Sequence, residues 1–436
     1  MQQSDAGSAA GTGTPRRRGD RRAQLARIAA ELFCLRGYHA VGLGDIATEA
    51  GITGPAIYRH FENKQAILTY AAEDLASATS GAVQTALAQT GDDPWARIDA
   101  IVGSLTKLVI ERRASAQLYQ WERRHLDPED HARFTATLET LVDTVAGLVG
   151  EGRPGLPEAD RATVATAGLS AIASLATHRT TVSARVAQRG LRSIALGVLA
   201  TGLPPRLSGE LAEQRPEPPA ASRFVSRRER LVVAALRPIR ERGFHAVTME
   251  ELGAAAGIGG SSVYRHFSSK AELLAAVYYR AADRLTVATG TAIESATEPG
   301  EALRALVDAY VGYNYSDSDL AAVYRSEYGN LPPDDRRHLR KVQREHVEQW
   351  VRLVMAVRGD TRATHARLAV HAALNIAGDL CIRRRRIADA DQIKHLVFAA
   401  LASYAIAYRF YARFITYRVL RADDTRATPA ERLNNG

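Results

Sequence analysis

Apolar positions recur along this chain at helical spacing. Leu25, Ile28, Ala29, Leu32 and Phe33 fall at i, i+3, i+4, i+7 and i+8, the stripe by which an amphipathic helix faces a core. Leu231, Ala234, Ala235, Pro238 and Ile239 repeat that spacing. Pro238 cannot donate to the preceding turn, so the second stripe predicts a bent helix. Leu306, Tyr310 and Tyr313 continue the pattern further along. Alternating β-branched runs are missing, while Ala, Leu, Glu and Arg dominate. The pattern predicts an all-α protein.

The pattern also repeats as a whole. Arg36-Gly37-Tyr38-His39-Ala40-Val41 returns as Arg242-Gly243-Phe244-His245-Ala246-Val247, a shift of 206 residues. At that shift Ala50-Gly51-Ile52 meets Ala256-Gly257-Ile258, Tyr58-Arg59-His60-Phe61 meets Tyr264-Arg265-His266-Phe267, and Lys64 meets Lys270. Weaker matches follow at a shift of 205: Tyr119, Glu122, Leu126 and Pro128 against Tyr324, Glu327, Leu331 and Pro333, then Leu169 and Leu175 against Leu374 and Leu380. One unit has been duplicated in tandem. Five prolines in 202–222 mark the seam. The expected layout is a disordered arm at 1–15, followed by two helical domains at 16–75 and 76–203. A linker at 204–222 then leads to a second pair at 223–281 and 282–424, with a tail at 425–436.

Within each copy, turns separate short helices. The first helix, about 20–36, stops at Gly37, and a second covers about Leu43–Glu49 before Ala50-Gly51. Thr53 is placed to cap a third helix from Gly54 to about His60, its hydroxyl accepting a free backbone N–H, and Pro55 suits that helix's first turn. In the second copy Thr248 caps Met249–Ala256, and Gly259 to His266 forms the corresponding helix. Gly42 stands where the second copy has Thr248, so the first copy lacks that cap. Two short helices around a glycine turn make a helix-turn-helix, whose second helix can enter the major groove.

The strings RGYHAVGLGDIATEAGITGPAIYRHFENKQAIL and RGFHAVTMEELGAAAGIGGSSVYRHFSSKAELL carry a resemblance. Both segments resemble the tetracycline-repressor (TetR) type of bacterial transcriptional regulator, strongly over 20–75 and 226–281 and only in architecture beyond. The resemblance implies a three-helix DNA-binding domain followed by a helical domain for ligand binding and dimerisation. It implies phosphate contacts from Tyr58, His60 and Lys64, and from Tyr264, His266 and Lys270, with Arg59 and Arg265 beside them. Thr53, Gly54, Pro55 and Ala56, and Gly260, Ser261 and Ser262, would face base edges or phosphates. Phosphate contacts position such a module and base-edge contacts specify sequence.

Charge points the same way. The chain carries 57 Lys and Arg against 48 Asp and Glu, a net charge of +9. Residues 14–64 hold nine basic and five acidic side chains, and 223–270 hold nine and four, so the two modules account for the whole excess. That segregation suits a DNA reader joined to neutral sensors. Arg16, Arg17, Arg18, Arg21 and Arg22 form a basic arm before the first helix, placed to reach phosphate or the minor groove. Arg383–Arg386 read as a solvated helix end.

The remaining helices suggest a small-molecule sensor. Candidate ligand-lining residues are Tyr119, Glu122, Tyr310, Tyr313, Tyr324, Glu327 and Asn375, with a lipophilic effector as the expected class. No catalytic constellation is present: His125 and His131 lack a nucleophile, and no metal-ligand spacing occurs. Neither an enzyme nor a cofactor is expected. Cys34 and Cys381 sit far apart outside any CxxC pattern, and the apolar run Leu396–Tyr408 is short of the roughly 20 residues of a membrane span, so a reduced cytoplasmic protein is expected. The leading function is a ligand-responsive repressor, with double-stranded operator DNA and a small effector as partners. The alternatives are a non-specific DNA-compacting protein and a small-molecule binder with vestigial modules. Two copies in one chain predict an intrachain pseudo-dimer through 160–203 and 361–417. There Leu169, Ile172, Leu175 and Leu196 would face Leu374, Ile376, Leu380, Val397 and Leu401; the rival is a homodimer of tandem chains.

Overall fold

The computed structural model describes residues 15–122, 126–178, 180–206, 225–359, 361–382 and 388–403, and no strand occurs among them. The first half contributes α1 (Pro15–Arg36), α2 (Leu43–Glu49), α3 (Gly54–Ile57), α4 (Lys64–Ala88), α5 (Pro94–Glu111), α6 (Arg113–Glu122), α7 (Pro128–Gly152), α8 (Glu158–Ala173) and α9 (Ala184–Leu199). The second contributes α10 (Arg227–Ala234), α11 (Leu236–Arg242), α12 (Met249–Ala255), α13 (Gly260–Val263), α14 (Lys270–Glu294), α15 (Pro299–Ser316), α16 (Ser318–Ser326), α17 (Pro333–Arg358) and α18 (Ala363–Ile382). A last helix, α19, spans 390–403. Residues 1–14 of the expected arm at 1–15 and 207–222 of the expected linker at 204–222 lie outside the described residues, as do 223–224, the Arg383–Arg386 run and everything after 403.

The duplication is legible in the helix ends. Shifting α2, α3 and α4 by 206 gives the bounds of α12, α13 and α14, and shifting α5 by 205 gives those of α15. The lost residue therefore falls in the loop after α14. Turn glycines match as well: Gly37 and Gly243 have φ of 90° and 83°, Gly51 and Gly257 have 64° and 65°. An L side chain is strained there, which fixes these positions as helix stops.

One element differs from expectation, and another shows the break that Pro238 predicts. α1 begins at Pro15, so Arg16 to Arg22 wind through its first turns and do not precede it. Its counterpart is split into α10 and α11 at Ala235. Pro238 has no N–H to offer the Ala234 carbonyl, and α10 ends at Ala234.

The chain divides into two compact bodies, Met1–Ser77 with Ala114–Thr135 and Ala78–Arg113 with Ala136–Gly436. In the first, Leu25, Phe33, Ile46, Ile57, Phe61 and Ile67 are at most 2% exposed and make the core of one helix-turn-helix module. The second body holds more. Its helix-turn-helix core (Leu236, Val247, Leu252, Val263, Phe267, Leu273) runs on into Leu320 and Val323 of α16 and Leu339 of α17. A larger core joins the ends of both halves: Val164, Ile172 and Val198 from α8 and α9 pack in one cluster with Ile376, Leu380, Val397 and Leu401 from α18 and α19. Leu169, Leu196 and Leu374 pack against it partly buried, whereas Leu175 falls in a small separate cluster with Ala187 and Leu191. Small residues let these helices approach; a Cβ on Gly190 would lie 2.9 Å from Leu368. Truncating a wholly buried Ile376 or Leu380 costs about 2–5 kcal/mol, so this joint is a substantial part of the second body's stability.

Candidate nucleic-acid interface

Each module is built around a one-turn helix. α3 and α13 are four residues long, shorter than the expected Gly54–His60 and Gly259–His266, although turn bonds continue the winding: His60 N–H to Ile57 O at 2.9 Å, His266 N–H to Val263 O at 2.9 Å. Thr53 occupies the N-cap of α3 with its hydroxyl making no cap bond, against expectation. Pro55 removes one candidate donor, and the Ala56 N–H goes instead to the Thr53 carbonyl at 2.9 Å. α12 has a complete capping box: Glu251 N–H donates to Thr248 Oγ1 at 3.2 Å, and Thr248 N–H to Glu251 Oε2 at 2.7 Å. Gly42 of α2 has no hydroxyl, so only the reciprocal bond, Gly42 N–H to Asp45 Oδ2 at 2.8 Å, remains.

The residues assigned to DNA separate into two groups. Tyr58 and Tyr264 are 61% and 52% exposed, large rings left in solvent beside exposed Arg59 and Arg265. Thr53 and Pro55 are exposed; Gly54, Ala56, Gly260, Ser262, His60 and His266 are half-buried; the Ser261 side chain lies outside the described residues. The buried faces are Ile57 and Phe61, and Val263 and Phe267. The second group is engaged in the fold. Lys64 Nζ donates to the carbonyls of Tyr38, Val41 and His39 at 2.8, 3.3 and 3.4 Å and sits 4.5 Å from the Tyr38 ring centre. Lys270 does the same with Val247 and His245, at 2.6 and 3.4 Å, over Phe244. Burial lowers the Lys270 pKa, opposed by Glu251 and Glu327. Arg21 donates to Ala50 O at 3.2 Å, closing the end of α2, and the Arg22 guanidinium lies over Phe61 and Tyr70 at 4.8 and 5.0 Å. Arg228, the repeat of Arg22, covers Phe267 at 4.6 Å. These five cations tie each module together. The exposed tyrosines and arginines are the groups turned outward.

The ligand candidates are also unequal. The side chains of Tyr119 and Glu122 lie outside the described residues. Tyr324 stacks on Tyr278 at 4.7 Å and accepts a bond from Gln343 at 2.8 Å; burial raises its pKa. Tyr310 meets Trp350 edge-on at 5.5 Å, and Trp350 Nε1–H donates to His346 at 3.1 Å. Burial pushes Tyr310 up to about 12 and His346 down to about 4. Tyr313 donates to Ala281 O at 3.4 Å, and its pKa is raised to about 12 by burial. Glu327, 1% exposed, accepts from Asn330 at 2.7 Å. Asn375 is engaged within the fold. Its amide donates to Ser170 O and Oγ at 2.8 and 3.0 Å and accepts from Arg325 at 2.9 Å, so it holds the joint between α18 and α8. Arg325 also pairs with Asp379 at 2.9 Å, and Ser170 Oγ donates to Asp379. Composition gave no sign of this network; its only signal was the repeat, which pairs Ser170 with Asn375.

Among the described residues no group of three or more His, Cys, Asp or Glu could hold a metal ion, and Cys34 and Cys381 form no disulfide. No described helix is long and apolar enough to cross a membrane.

Comparison with known proteins places these modules. Residues 26–71 and 231–277 match the family "Bacterial regulatory proteins, tetR family", and 296–381 match "Tetracyclin repressor-like, C-terminal domain". The chain is 35% identical over 107 residues to the HTH-type transcriptional activator FasR of Mycolicibacterium smegmatis, covering 24% of this chain and 49% of that protein. It is 29% identical over 120 residues to the HTH-type transcriptional repressor KstR2 of Rhodococcus jostii, covering 28% and 58%. The chain thus spans about half the length of these regulators. Among solved structures, a regulatory protein of the tetR family from Rhodococcus RHA1 aligns with a TM-score of 0.37 at 22% identity, over 40% of this chain and 95% of that one. A second likeness was not anticipated by the repeat. Residues 393–436 match the family "Carbon starvation protein CstA", and 63 residues are 44% identical to the peptide transporter CstA of Helicobacter pylori, 14% of this chain and 9% of that protein. In the described part of that stretch Ile393, Leu396 and Ala400 of α19 are wholly buried in the second body's core. With two matched segments, two helix-turn-helix modules and an all-α fold, the chain is a tandem member of the tetR family of bacterial regulatory proteins.

Proposed function

We propose that this chain is a repressor that grips a pseudo-palindromic operator with both of its helix-turn-helix modules and releases it when a small lipophilic effector binds. The observation that carries this reading is the joint of α8 and α9 with α18 and α19 inside a single chain. A two-fold dimer of helix-turn-helix proteins sets two recognition helices about 34–36 Å apart, one turn of DNA. A tandem chain with a joint of this kind supplies both copies without a partner. Tyr58, Arg59 and His60, and Tyr264, Arg265 and His266, then meet phosphates, while the starts of α3 and α13 meet base edges.

Release runs through α14. This helix of 25 residues continues from the DNA-binding module into the sensor, and Tyr278 Oη donates to the Val323 and Tyr324 carbonyls at 2.9 Å each, tying it to α16. An effector lodged among Tyr310, Tyr313 and Tyr324 displaces α16 and with it α14. By linkage the effector must bind the DNA-free form more tightly, typically by about 1–3 kcal/mol.

Operator footprinting with and without candidate effectors tests the reading. A discrete protected site lost on effector binding supports it. Uniform coating indicates a DNA-compacting protein, and no protection indicates vestigial modules. Sedimentation on operator DNA tests the architecture: a stable species of about twice the 47.3 kDa chain, covering four half-sites, would replace the one-chain pseudo-dimer by a homodimer of tandem chains.

A further inference from the structure

The acidic residues of the second module have unequal surroundings. Residues 223–270 contain four: Glu229, Glu241, Glu250 and Glu251. Glu229 pairs with Arg280, Glu241 with Arg237 at 2.8 Å, and Glu251 with Arg242 at 2.5 Å while also closing the Thr248 cap. Glu250 is exposed and meets no donor or cation among the described residues. It does have a defined place. A Cβ built on Gly260, the first residue of α13, would lie 3.3 Å from Glu250 Cγ and 3.9 Å from its Cβ. The stem of Glu250 therefore lies against the first turn of the recognition helix. That turn offers only short side chains of its own, Gly259, Gly260, Ser261 and Ser262. In the first module the position of Glu250 is held by Gly44, so the feature belongs to one module alone.

A bare carboxylate beside a DNA-reading helix is repelled by phosphates and needs a donor to compensate. In the major groove the cytosine N4 amine has no acceptor beside it on its own base, whereas the adenine N6 amine sits next to N7, which opposes a carboxylate. We propose that Glu250 is a specificity residue of the second module, accepting a hydrogen bond from the N4 amine of a cytosine in the half-site beneath that module. The two half-sites of the operator therefore differ at this base pair. The inference rests on the reading above, that both modules engage DNA. A first-turn acid also complements the dipole of α12, but that effect is blind to sequence, so base preference separates the two roles.

The test is selection of bound duplexes from a randomised pool by the full chain, comparing wild type with E250Q, E250S and G44E. Wild type is expected to enrich a site with unequal halves and an invariant cytosine in one of them. E250Q and E250S should lose that preference, by about tenfold in the affinity ratio of cytosine to other bases, and leave the remaining positions unchanged. G44E should introduce a cytosine in the other half. A wild-type site with no such cytosine, or one whose cytosine survives both E250Q and E250S, overturns the proposal while leaving DNA reading intact. A wild-type pool with no enriched sequence overturns the DNA-reading itself and this inference with it.

Discussion

Acidification should loosen the joint between the halves, because two neutral histidines are stacked inside it. The rings of His178 and His371 lie 3.7 Å apart and 16° from parallel. His371 Nε2 meets the Thr180 hydroxyl at 3.1 Å, and the Thr180 N–H donates to His178 Nδ1 at 3.2 Å. Burial lowers both pKa values. His178 falls from 6.5 to about 2, with His371 and Arg113 adding to the effect, and His371 falls to about 4, with Arg367 and Arg113 adding. Each folded value lies below the unfolded one, so the fold favours the neutral rings. Their contribution is whole above about pH 6.5 and is lost as the pH falls toward 4. Between about pH 7 and pH 5, one such histidine forfeits about 2 kcal/mol by linkage, and the pair at most about 4. That is a large share of a domain's usual stability of about 5–15 kcal/mol. The assay is urea denaturation across this pH range, followed by tryptophan emission since Trp350 is wholly buried, on wild type and the H178Q/H371Q double variant. His346, also lowered to about 4, is present in both proteins and cancels. Wild type should lose about 2–4 kcal/mol more than the double variant on acidification. Parallel pH profiles for the two proteins would refute the reasoning.

Other outcomes follow from the modules and the joint. Thr248→Ala should cost about 1 kcal/mol by opening the α12 capping box, while Gly42→Thr, at φ −100° with only Asp45 near its Cβ, should protect α2; hydrogen exchange reads both. Lys64→Met or Lys270→Met should lower melting stability by about 1–3 kcal/mol through freed carbonyls. Tyr58→Ala should instead leave melting unchanged and weaken binding on all sequences, lowering the salt slope of a gel-shift titration by about one per phosphate lost. Gly378→Ala should cost about 1–3 kcal/mol in thermal melting, because its Cβ would fall on the Arg325 guanidinium and push it off Asp379.

The helical pattern, the repeat and the turn glycines were legible because each is a local property of sequence. Gly37, Gly51, Gly243 and Gly257 stop helices wherever they occur, and Leu25, Phe33 and Ile57 are buried as their spacing predicts. The roles of the cations were not legible. A lysine reads as a surface charge until the fold brings the carbonyls of Tyr38 and Val41, 26 and 23 residues away, to its ammonium. Nor were the partners of Asn375 legible, because a polar residue on an apolar helix announces only that it needs partners. The partners, Ser170 at 205 residues and Arg325 at 50, are set by tertiary packing. The likeness of 393–436 to carbon starvation proteins emerged only from comparison with other sequences.

Ser170 and Asn375 are the same position in the two copies, and they meet each other across the joint. In an assembly of identical chains that contact would be serine with serine or asparagine with asparagine, and every substitution would strike both sides at once. A single chain lets one side donate and the other accept, and lets each change alone. It also frees assembly from mass action. The two surfaces share one polypeptide, so their effective concentration is set by the tether and not by cellular copy number. Occupancy of a two-half site would then rise in proportion to the number of chains, where an assembly of separate subunits rises with its square at low expression. On the proposed reading, a cell holding only a few copies of this chain would still meet its operator with complete, correctly paired readers.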